Sequence, residues 1–330
     1  MAQLKAVREQ IAAVIVGQSL VVEHILVALL ANGHCLLQGV PGLGKTLLLK
    51  TLAEVVTLPF GRIQFTPDLM PGDIIGAELL SEGAQGARRF EFQPGPVFTS
   101  LLLADEINRT PPKTQAALLE AMAEQRVTFA GTEHALPQPF FVMATQNPLE
   151  QAGTYPLPEA QLDRFLLMIE MGYPSTEEEI DILRRTTGSA TDAAQAAMGV
   201  DDILAAQSIV RDVSISEPLL EYASVLIRAT RPDAATPYRS VTTWVRWGAG
   251  PRAGQALVRA AKARALLRGR LAVTLEDVQA MAIPVLRHRV LLNFHAEAEH
   301  VEVAQVVGEL LRDVPGPQDA LASGAGNTGQ

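Results

Sequence analysis

The most constraining feature of this sequence is the eight-residue pattern GxxxxGK[ST], which runs Gly39-Val40-Pro41-Gly42-Leu43-Gly44-Lys45-Thr46. The apolar residues 35–37 before it are typical of a short buried strand and residues 47–53 after it of a helix, which is the context the pattern requires. Its glycines let backbone N–H groups point at phosphate oxygens, and the helix N-terminus adds a partial positive charge. The segment therefore predicts a phosphate-binding loop.

Two side chains at the end of this loop have the chemistry that a nucleoside triphosphate needs. Lys45 would reach the β- and γ-phosphates as a point charge, and the Thr46 hydroxyl would hold Mg²⁺. The alternative, a glycine-rich turn that binds nothing, is disfavoured by this Lys-Thr pair and by the flanking elements. The residues expected to bind the phosphates are Gly39, Pro41, Gly42, Leu43, Gly44, Lys45, Thr46 and Leu47.

The composition of the 330 residues, 48% hydrophobic and 19% charged, is that of a globular protein long enough for two domains. The net charge of −9 argues against a nucleic-acid motor, because an acidic chain has no general attraction for a phosphate backbone. Residues 11–30 are apolar but interrupted by Gln18, Glu23 and His24, so no membrane span is expected. With one cysteine, Cys35, and no secretory signal, a cytoplasmic location is the default expectation.

The first half of the chain alternates short apolar runs with helical patterns such as residues 114–122. This alternation predicts an α/β fold with a mostly parallel sheet covered on both faces. Ligands of such sheets bind beyond the carboxyl ends of the strands, where the phosphate-binding loop would lie. The five expected strands are residues 34–37, 60–65, 101–104, 140–144 and 165–169.

The second half of the chain has helix signals and no further convincing strand. Ser175 and Thr176 each precede a glutamate by three residues, which is a helix-start pattern, and Pro251 suits a first helical position. The predicted organisation is a nucleotide-binding core over residues 1–172 and a helical lid over residues 173–314. Residues 315–330, small and polar, are expected to be a disordered tail.

Two acids end the apolar strand at residues 101–104. Asp105 would coordinate Mg²⁺ as the acidic partner of Thr46, and Glu106 would polarise an attacking water. A solvated strand end is the simpler interpretation of two acids alone. Their place roughly sixty residues after the phosphate-binding loop favours the metal-and-water site.

Three further polar residues are candidates for the same chemistry. Asn147 follows the strand at 140–144 and could hydrogen-bond the attacking water or the γ-phosphate, although Asn-Pro is also a common turn. Arg164 precedes the last expected strand, and Arg252 opens a helix of the second domain, where it could face the nucleotide from the lid side. A guanidinium suits a phosphoryl group with developing charge, but a lone arginine more often forms a surface ion pair.

The sequence resembles AAA+ ATPases, and more specifically the MoxR family, over residues 1–312. The resemblance is carried by Ile15-Val16-Gly17-Gln18, the phosphate-binding loop, LADEINR at 103–109, ATQNP at 144–148, YPLPEAQLDRF at 155–165 and VLRHR at 285–289. It implies a P-loop NTPase fold with ATP and Mg²⁺ as cofactors. Its nucleotide-site residues would be Val16, Gly17 and Gln18 around the adenine, Lys45 and Thr46 in Walker A, Asp105 and Glu106 in Walker B, and Asn147 as sensor 1.

The resemblance also gives the two arginines roles. Arg164 would be the arginine finger that reaches the site of a neighbouring subunit, which implies a homo-oligomeric ring, commonly a hexamer. Arg252 would be sensor 2 and couple the lid angle to the nucleotide state. Residues 248–251, Gly-Ala-Gly-Pro, depart from family members that often carry a serine at the capping position, but glycine also caps helices.

Two segments are expected to form hairpins that face the ring axis in the family, residues 76–92 and residues 126–136, the latter turning at 130–133. Simple surface loops are the alternative for both. The function that the resemblance implies is a chaperone-like ATPase that remodels a protein partner, commonly one with a von Willebrand factor A domain, to mature it or insert a cofactor or metal. The alternatives are a nucleic-acid-threading motor, with Arg88 and Arg89 as its candidate cations, and a magnesium-chelatase-type motor subunit. A small-molecule kinase is least favoured, because Glu106 and Asn147 suit water activation.

Overall fold

The computed structural model describes residues 2–82, 88–148, 153–187, 194–233 and 236–317. Its strands are β1 (Cys35–Gln38), β2 (Phe60–Gln64), β3 (Gly76–Glu82), β4 (Arg88–Pro94), β5 (Leu101–Asp105), β6 (Arg126–Phe129), β7 (Thr132–Ala135), β8 (Phe141–Gln146), β9 (Leu167–Glu170), β10 (Val245–Trp247) and β11 (Leu291–Leu292). Its helices are α1 (Ala2–Val14), α2 (Ser19–Leu30), α3 (Lys45–Val55), α4 (Pro71–Ile75), α5 (Pro112–Glu124), α6 (Glu159–Leu162), α7 (Thr176–Thr187), α8 (Val200–Asp212), α9 (Glu217–Ala229), α10 (Arg239–Trp244), α11 (Pro251–Leu267), α12 (Leu275–Leu286), α13 (Phe294–Ala298) and α14 (Val303–Asp313).

All five expected apolar runs form one parallel sheet in the order β2-β5-β8-β1-β9. Neighbouring strand residues alternate between two hydrophobic clusters, so that Leu37 and Leu101 pack on one face and Leu36 and Leu102 on the other. Helices α2 and α3 cover the first face and α5 covers the second. The predicted α/β core with two covered faces is confirmed.

The two ends of the parallel strands carry different functional segments. We call the side of the sheet where the strands end the carboxyl-end edge and the side where they begin the amino-end edge. The phosphate-binding loop follows β1, Glu106 follows β5 and Asn147 follows β8, so all three lie at the carboxyl ends. His34 and Arg164 precede β1 and β9 at the amino ends, where Leu166 N–H donates to His34 O. A four-residue parallel strand spans roughly 13 Å, which separates the two edges.

The second half of the chain is helical, as predicted, except for β10 and β11. These strands form a short antiparallel pair, and the adjacent Asn293 N–H donates to Trp244 O. Strands of three and two residues leave no recognisable apolar run, which is why the sequence did not indicate them. The predicted helix start at α7 forms as a capping box, with Ser175 and Glu178 bonding each other's backbone N–H.

A buried ionic network fixes the helical part to the core. Arg264 of α11 contacts Glu23 of α2 at 2.9 Å and Asp277 of α12 at 2.7 Å, and all three side chains are at most 7% exposed. Arg268 adds a second contact to Glu23, and Arg270 a second contact to Asp277. These contacts tie α2, α11 and α12 together.

Both expected hairpins are present as antiparallel pairs, β3–β4 and β6–β7. The second turns over Ala130 and Gly131, both with positive φ, so its turn is two residues rather than the expected four. Phe92 of β4 stacks on His134 of β7, with ring centroids 4.1 Å apart, and joins the hairpins. The tip at residues 83–87, the side chains of Arg88 and Arg89, and the tail beyond residue 317 lie outside the described residues.

No helix in the described ranges is long and apolar enough to cross a membrane. The apolar stretch at residues 11–30 instead divides between α1 and α2.

Candidate functional site

The phosphate-binding loop has the backbone that its glycines predict. Gly42 and Gly44 have φ of +86° and +81°, a region that side chains with a Cβ disfavour, and Gly44 forms the N-cap of α3. Gly39 is required for a different reason, since a Cβ there would lie 2.9 Å from the carbonyl oxygen of Met171. The loop thus leads directly into the N-terminus of α3, where Lys45 and Thr46 begin the helix.

The Lys45 side chain folds back over this loop, and its Nζ donates to the carbonyl oxygen of Gly39. Burial lowers the pKa of Lys45, while the charges of Asp105 and Glu106 oppose that shift. The lysine and the two acids therefore interact electrostatically.

Asp105 and Glu106 are held by one threonine of the neighbouring strand. The hydroxyl of Thr145 donates to Asp105 Oδ1 at 2.7 Å and accepts from the Glu106 N–H at 2.9 Å. Asp105 Oδ2 accepts from Arg62 Nη2 at 2.7 Å. The two carboxylates are mostly buried, with side-chain exposures of 16% and 23%.

Glu106 has an unusual backbone for a non-glycine residue, with φ 58° and ψ 49°. Its Oε2 accepts from Gln64 Nε2 and from Arg109 Nη1, each at 3.0 Å. Left-handed backbone at such a residue costs free energy and is found where surrounding contacts enforce it, often at functional sites. The contacts to Gln64, Arg109 and Thr145 enforce it here.

Asn147 lies in the same region and is only 6% exposed. The residue before it, Gln146, accepts a hydrogen bond of 3.3 Å at its carbonyl from the Gly39 N–H. The end of β8 therefore contacts the start of the phosphate-binding loop and brings Asn147 to the site.

The segment Val16-Gly17-Gln18 lies beside this edge. Gln18 Nε2 donates to the Gly172 carbonyl at 3.3 Å, and a Cβ on Gly17 would meet the Glu178 carboxylate at 2.5 Å. The segment thus packs against the start of α7 and the chain that leaves β9, next to Gly39. This position fits the predicted adenine pocket.

Arg164 and Arg252 do not lie at the carboxyl-end edge, where the phosphate-binding loop of the same chain is found. Arg164 precedes β9, and its Nη1 donates to the Leu119 carbonyl. Arg252 Nη1 lies 3.5 Å from Asp163 Oδ2, so it sits beside Arg164 at the amino ends of the strands. The sequence suggested that Arg252 could face the nucleotide from the lid side, and the structure places Arg252 across the sheet from the phosphate-binding loop of the same chain.

The two arginines line a cavity of about 450 Å³ between the core and the helical part. Arg259 and Arg289 also line this cavity, and Asp163 is the acid among them. Burial lowers the pKa of both Arg259 and Arg289, and Asp163 opposes that shift for Arg289. The amino-end edge therefore has four arginines and one acid, while at the carboxyl-end edge Asp105 and Glu106 lie among the cations Lys45, Arg62 and Arg109.

The donor set at the carboxyl-end edge fits Mg²⁺. Within the described ranges no group of three or more His, Cys, Asp or Glu residues could hold a metal ion. Mg²⁺ needs no such group, because it binds through one or two protein oxygens together with phosphates and waters. The Thr46 hydroxyl and the Asp105 carboxylate supply oxygens of this kind.

Sequence reasoning gave no role to four residues of this site, namely Thr145, Arg62, Gln64 and Arg109. Thr145 lies in the ATQNP segment, where a polar residue near a strand end was a usable signal. Arg62 and Gln64 give no such signal, because only the pairing of β2 with β5 sets Gln64 opposite Asp105.

Comparisons with known proteins agree with this fold. The sequence model of the ATPase family associated with various cellular activities (AAA) matches residues 34–167, and that of the AAA lid domain matches residues 240–310. A crystal structure from Cytophaga hutchinsonii with an ATPase assignment superposes with a TM-score of 0.88 at 42% identity, covering 95% of this chain and 94% of that one. The fold and the site together define an AAA+ ATPase.

Proteins with similar sequences identify the family within the AAA+ ATPases. Chaperone MoxR1 of Mycobacterium tuberculosis is 46% identical over 92% of this chain and 80% of its own length. Protein MoxR of Paracoccus denitrificans is 34% identical over 85% of this chain and 86% of its own. The chain belongs to the MoxR family of chaperone-like AAA+ ATPases.

Proposed function

We propose that this ATPase binds ATP with Mg²⁺ and hydrolyses it in a homo-oligomeric ring, a hexamer by analogy with AAA+ proteins, to remodel a protein partner. The observation that carries this proposal is the division of the machinery between two edges of one sheet. The phosphate-binding loop and the acids lie at the carboxyl ends, while Arg164 and Arg252 lie at the amino ends. Head-to-tail packing would bring the arginine edge of one subunit to the loop edge of the next.

The carboxyl-end residues act on the triphosphate by position and charge. The loop N–H groups and Lys45 hold the phosphates, and Thr46 and Asp105 hold Mg²⁺, which neutralises phosphate charge when bound. Gln64 and Arg109 hold the Glu106 carboxylate in one position. From that position Glu106 orients the attacking water and accepts a proton from it. Asn147 offers an amide to that water or to the γ-phosphate.

Arg164 and Arg252 act on the nucleotide of the neighbouring subunit. The separation of roughly 13 Å across the sheet exceeds the reach of an arginine side chain within one chain. The side chain of Arg252 is 77% exposed, so it is accessible to the nucleotide of a neighbouring subunit.

The partner contact is proposed at the β3–β4 hairpin. Leu79, Leu80 and Phe90 are 52%, 51% and 72% exposed on this two-stranded ribbon. Exposed apolar side chains grouped on one projecting element mark a surface that binds protein. The partner class is a protein with a von Willebrand factor A domain, and the remodelling serves its maturation or the insertion of a cofactor or metal.

The trans arrangement is tested by mixing two inactive variants. Arg164→Ala keeps its loop and acids, and Glu106→Gln keeps its arginines, so a mixed ring has some junctions with every group intact. We expect each variant alone to lose at least about 10³-fold in turnover and mixtures to regain activity with a maximum near equal ratios. The control is Arg184→Ala, an exposed arginine of α7. Mixtures that stay inactive at every ratio would contradict the trans arrangement.

The partner class is tested by co-purification with the Glu106→Gln variant, which is expected to hold ATP and retain the bound partner. Recovery of a von Willebrand factor A domain protein with this variant and not with Lys45→Ala would support the assignment. Its absence in every nucleotide state would refute that assignment and leave the ATPase assignment intact.

A further inference from the structure

Asp163 lies between two arginines from the helical part of the chain. Its Oδ1 accepts from Arg289 Nε at 2.7 Å, and its Oδ2 lies 3.5 Å from Arg252 Nη1. Asp163 caps the short helix α6 and directly precedes Arg164. One carboxylate therefore connects the helical part to the residue next to the proposed arginine finger.

The contact with Arg289 fixes the carboxylate. Arg289 is 6% exposed, and besides Asp163 it donates to the carbonyl oxygens of Phe165 at 2.6 Å, Leu166 at 3.1 Å and Val285 at 2.6 Å. A guanidinium held by this many acceptors has one available orientation. The Nε–H of Arg289 in turn fixes the orientation of the Asp163 carboxylate.

The contact between Asp163 and Arg252, unlike the one with Arg289, is long and exposed to solvent. At 3.5 Å it is longer than an ordinary hydrogen bond, and Arg252 is 77% exposed. Such an exposed ion pair contributes little stability and opens readily. Asp163 can thus orient Arg252 and still release it to a stronger anion.

We propose that Asp163 is a positioning residue for hydrolysis, which holds Arg252 of the helical part beside Arg164 so that both guanidiniums reach one phosphate group of the neighbouring subunit together. This inference rests on the proposed trans function. The physical role of Asp163 is preorganisation, because it limits the rotamers of Arg252 before the subunits meet. It also offsets the mutual repulsion of Arg164, Arg252 and Arg289 at one edge.

The test is a double-mutant cycle in assembled rings with Asp163→Asn, Arg252→Ala and the combined variant. We expect Asp163→Asn alone to lower kcat about fivefold, the upper limit for an exposed ion pair, with little change in the KM for ATP. In the Arg252→Ala background the same substitution should add less than about a twofold loss, because Asp163 acts through Arg252. The matched control is Asp181→Asn, which removes the acid of a surface pair with Arg185.

A merely structural role predicts a different pattern. If Asp163 serves only to neutralise Arg289, the loss on Asp163→Asn will be equal in both backgrounds, and the inference is overturned. Should Asp163→Asn fail to fold, Asp163→Glu replaces it in the cycle, since it keeps the charge but moves the carboxylate away from its present position. Equal losses with Asp163→Glu in the two backgrounds would likewise overturn the inference.

The outcomes separate this inference from the proposed function. Inactive mixtures of Arg164→Ala with Glu106→Gln refute the trans arrangement whatever Asp163 does. Active mixtures together with additive effects of Asp163 and Arg252 leave the trans arrangement standing and refute the positioning role. An Arg252→Ala ring with normal kcat also refutes the positioning role, because nothing would then act through Arg252.

Discussion

The hydroxyl of Thr145 donates a 2.7 Å hydrogen bond to Oδ1 of Asp105. Thr145 is 1% exposed on β8, and the same hydroxyl accepts from the Glu106 N–H. A single side chain of the strand that leads to Asn147 therefore sets the position of both acids at the end of β5. Strand pairing, as well as the acids themselves, determines the geometry of the candidate site.

Replacing Thr145 by valine is expected to slow hydrolysis more than it weakens nucleotide binding. A hydrogen bond to a charged group contributes about 1.5–3 kcal/mol, which corresponds to a loss of about tenfold to a hundredfold in kcat if it is needed in the transition state. Single-turnover rates and the Kd for ATP measure the two effects. Thr145→Ser keeps the hydroxyl and should stay within a few-fold of the parent, and a valine variant with unchanged kcat would contradict the prediction.

Replacing Lys45 by alanine is expected to abolish ATP binding, because the loop loses its phosphate-facing ammonium. Ligand at a hundred times its Kd stabilises a protein by about 2.7 kcal/mol, so the parent should show a clear rise in Tm with ATP and the variant none. Lys50→Ala is the control, since Lys50 is exposed on the same helix α3. A Lys45→Ala protein with the parent's affinity would refute the loop assignment.

The stability of the protein is expected to fall as the pH drops from about 6.5 to about 4, in part through His34. Burial lowers the pKa of His34 from 6.5 to about 4, and its ring bonds the Met122 carbonyl and the Val142 N–H as the neutral form. The unfolded chain takes up the proton near pH 6.5 while the folded chain does not, so about 3 kcal/mol of unfolding free energy is lost across this interval.

Urea midpoints at pH 7.5, 5.5 and 4.5 measure the pH effect. His34→Gln can make both hydrogen bonds without titrating and should show a flatter profile than the parent. Some slope will remain, because burial also lowers the pKa of His288 well below its usual value. Parallel profiles for the parent and His34→Gln would show that His34 does not contribute.

Replacing Glu23 by glutamine is expected to destabilise the protein by about 3 kcal/mol, because it leaves an excess positive charge in the buried network that joins α2 to α11. Arg264, at 7% exposure, cannot turn to solvent to recover that loss. Thermal or urea unfolding measures the change. Glu9→Gln is the control, since the Lys5–Glu9 pair is 80% and 63% exposed and should change stability by less than about 0.5 kcal/mol. If Glu23→Gln and Glu9→Gln lowered the free energy of unfolding equally, burial of the Glu23 network would not explain its contribution to stability.

Much of the fold and site could be predicted because their signals are local. Four strands of the central sheet are largely apolar, whereas β2 also contains Arg62 and Gln64, and the runs at β5 and β8 are followed by the polar residues of the candidate site, Asp105, Glu106 and Asn147. The glycines of the phosphate-binding loop indicated their own backbone, which the positive φ of Gly42 and Gly44 confirms.

The rest depends on contacts between distant residues. Arg259 of α11 donates to the carbonyl oxygens of Ala31 and Asn32, which follow α2, at 2.5 and 2.8 Å. This contact sets the start of α11 at the amino ends of the strands, and with it Arg252. No local sequence pattern around residue 252 indicates this contact, so the sequence alone could not place Arg252 at this end of the strands.

The proposed trans arrangement, in which the arginines of one subunit serve the phosphate-binding loop of the next, has an arithmetic consequence for assembly. A linear row of subunits leaves one loop and one set of arginines unmatched at its two ends, so it has one competent centre fewer than it has members. Closing the row into a circle completes the missing centre. Under the same arrangement, a subunit without Glu106 would inactivate its own centre, and a subunit without Arg164 would inactivate the centre of its neighbour.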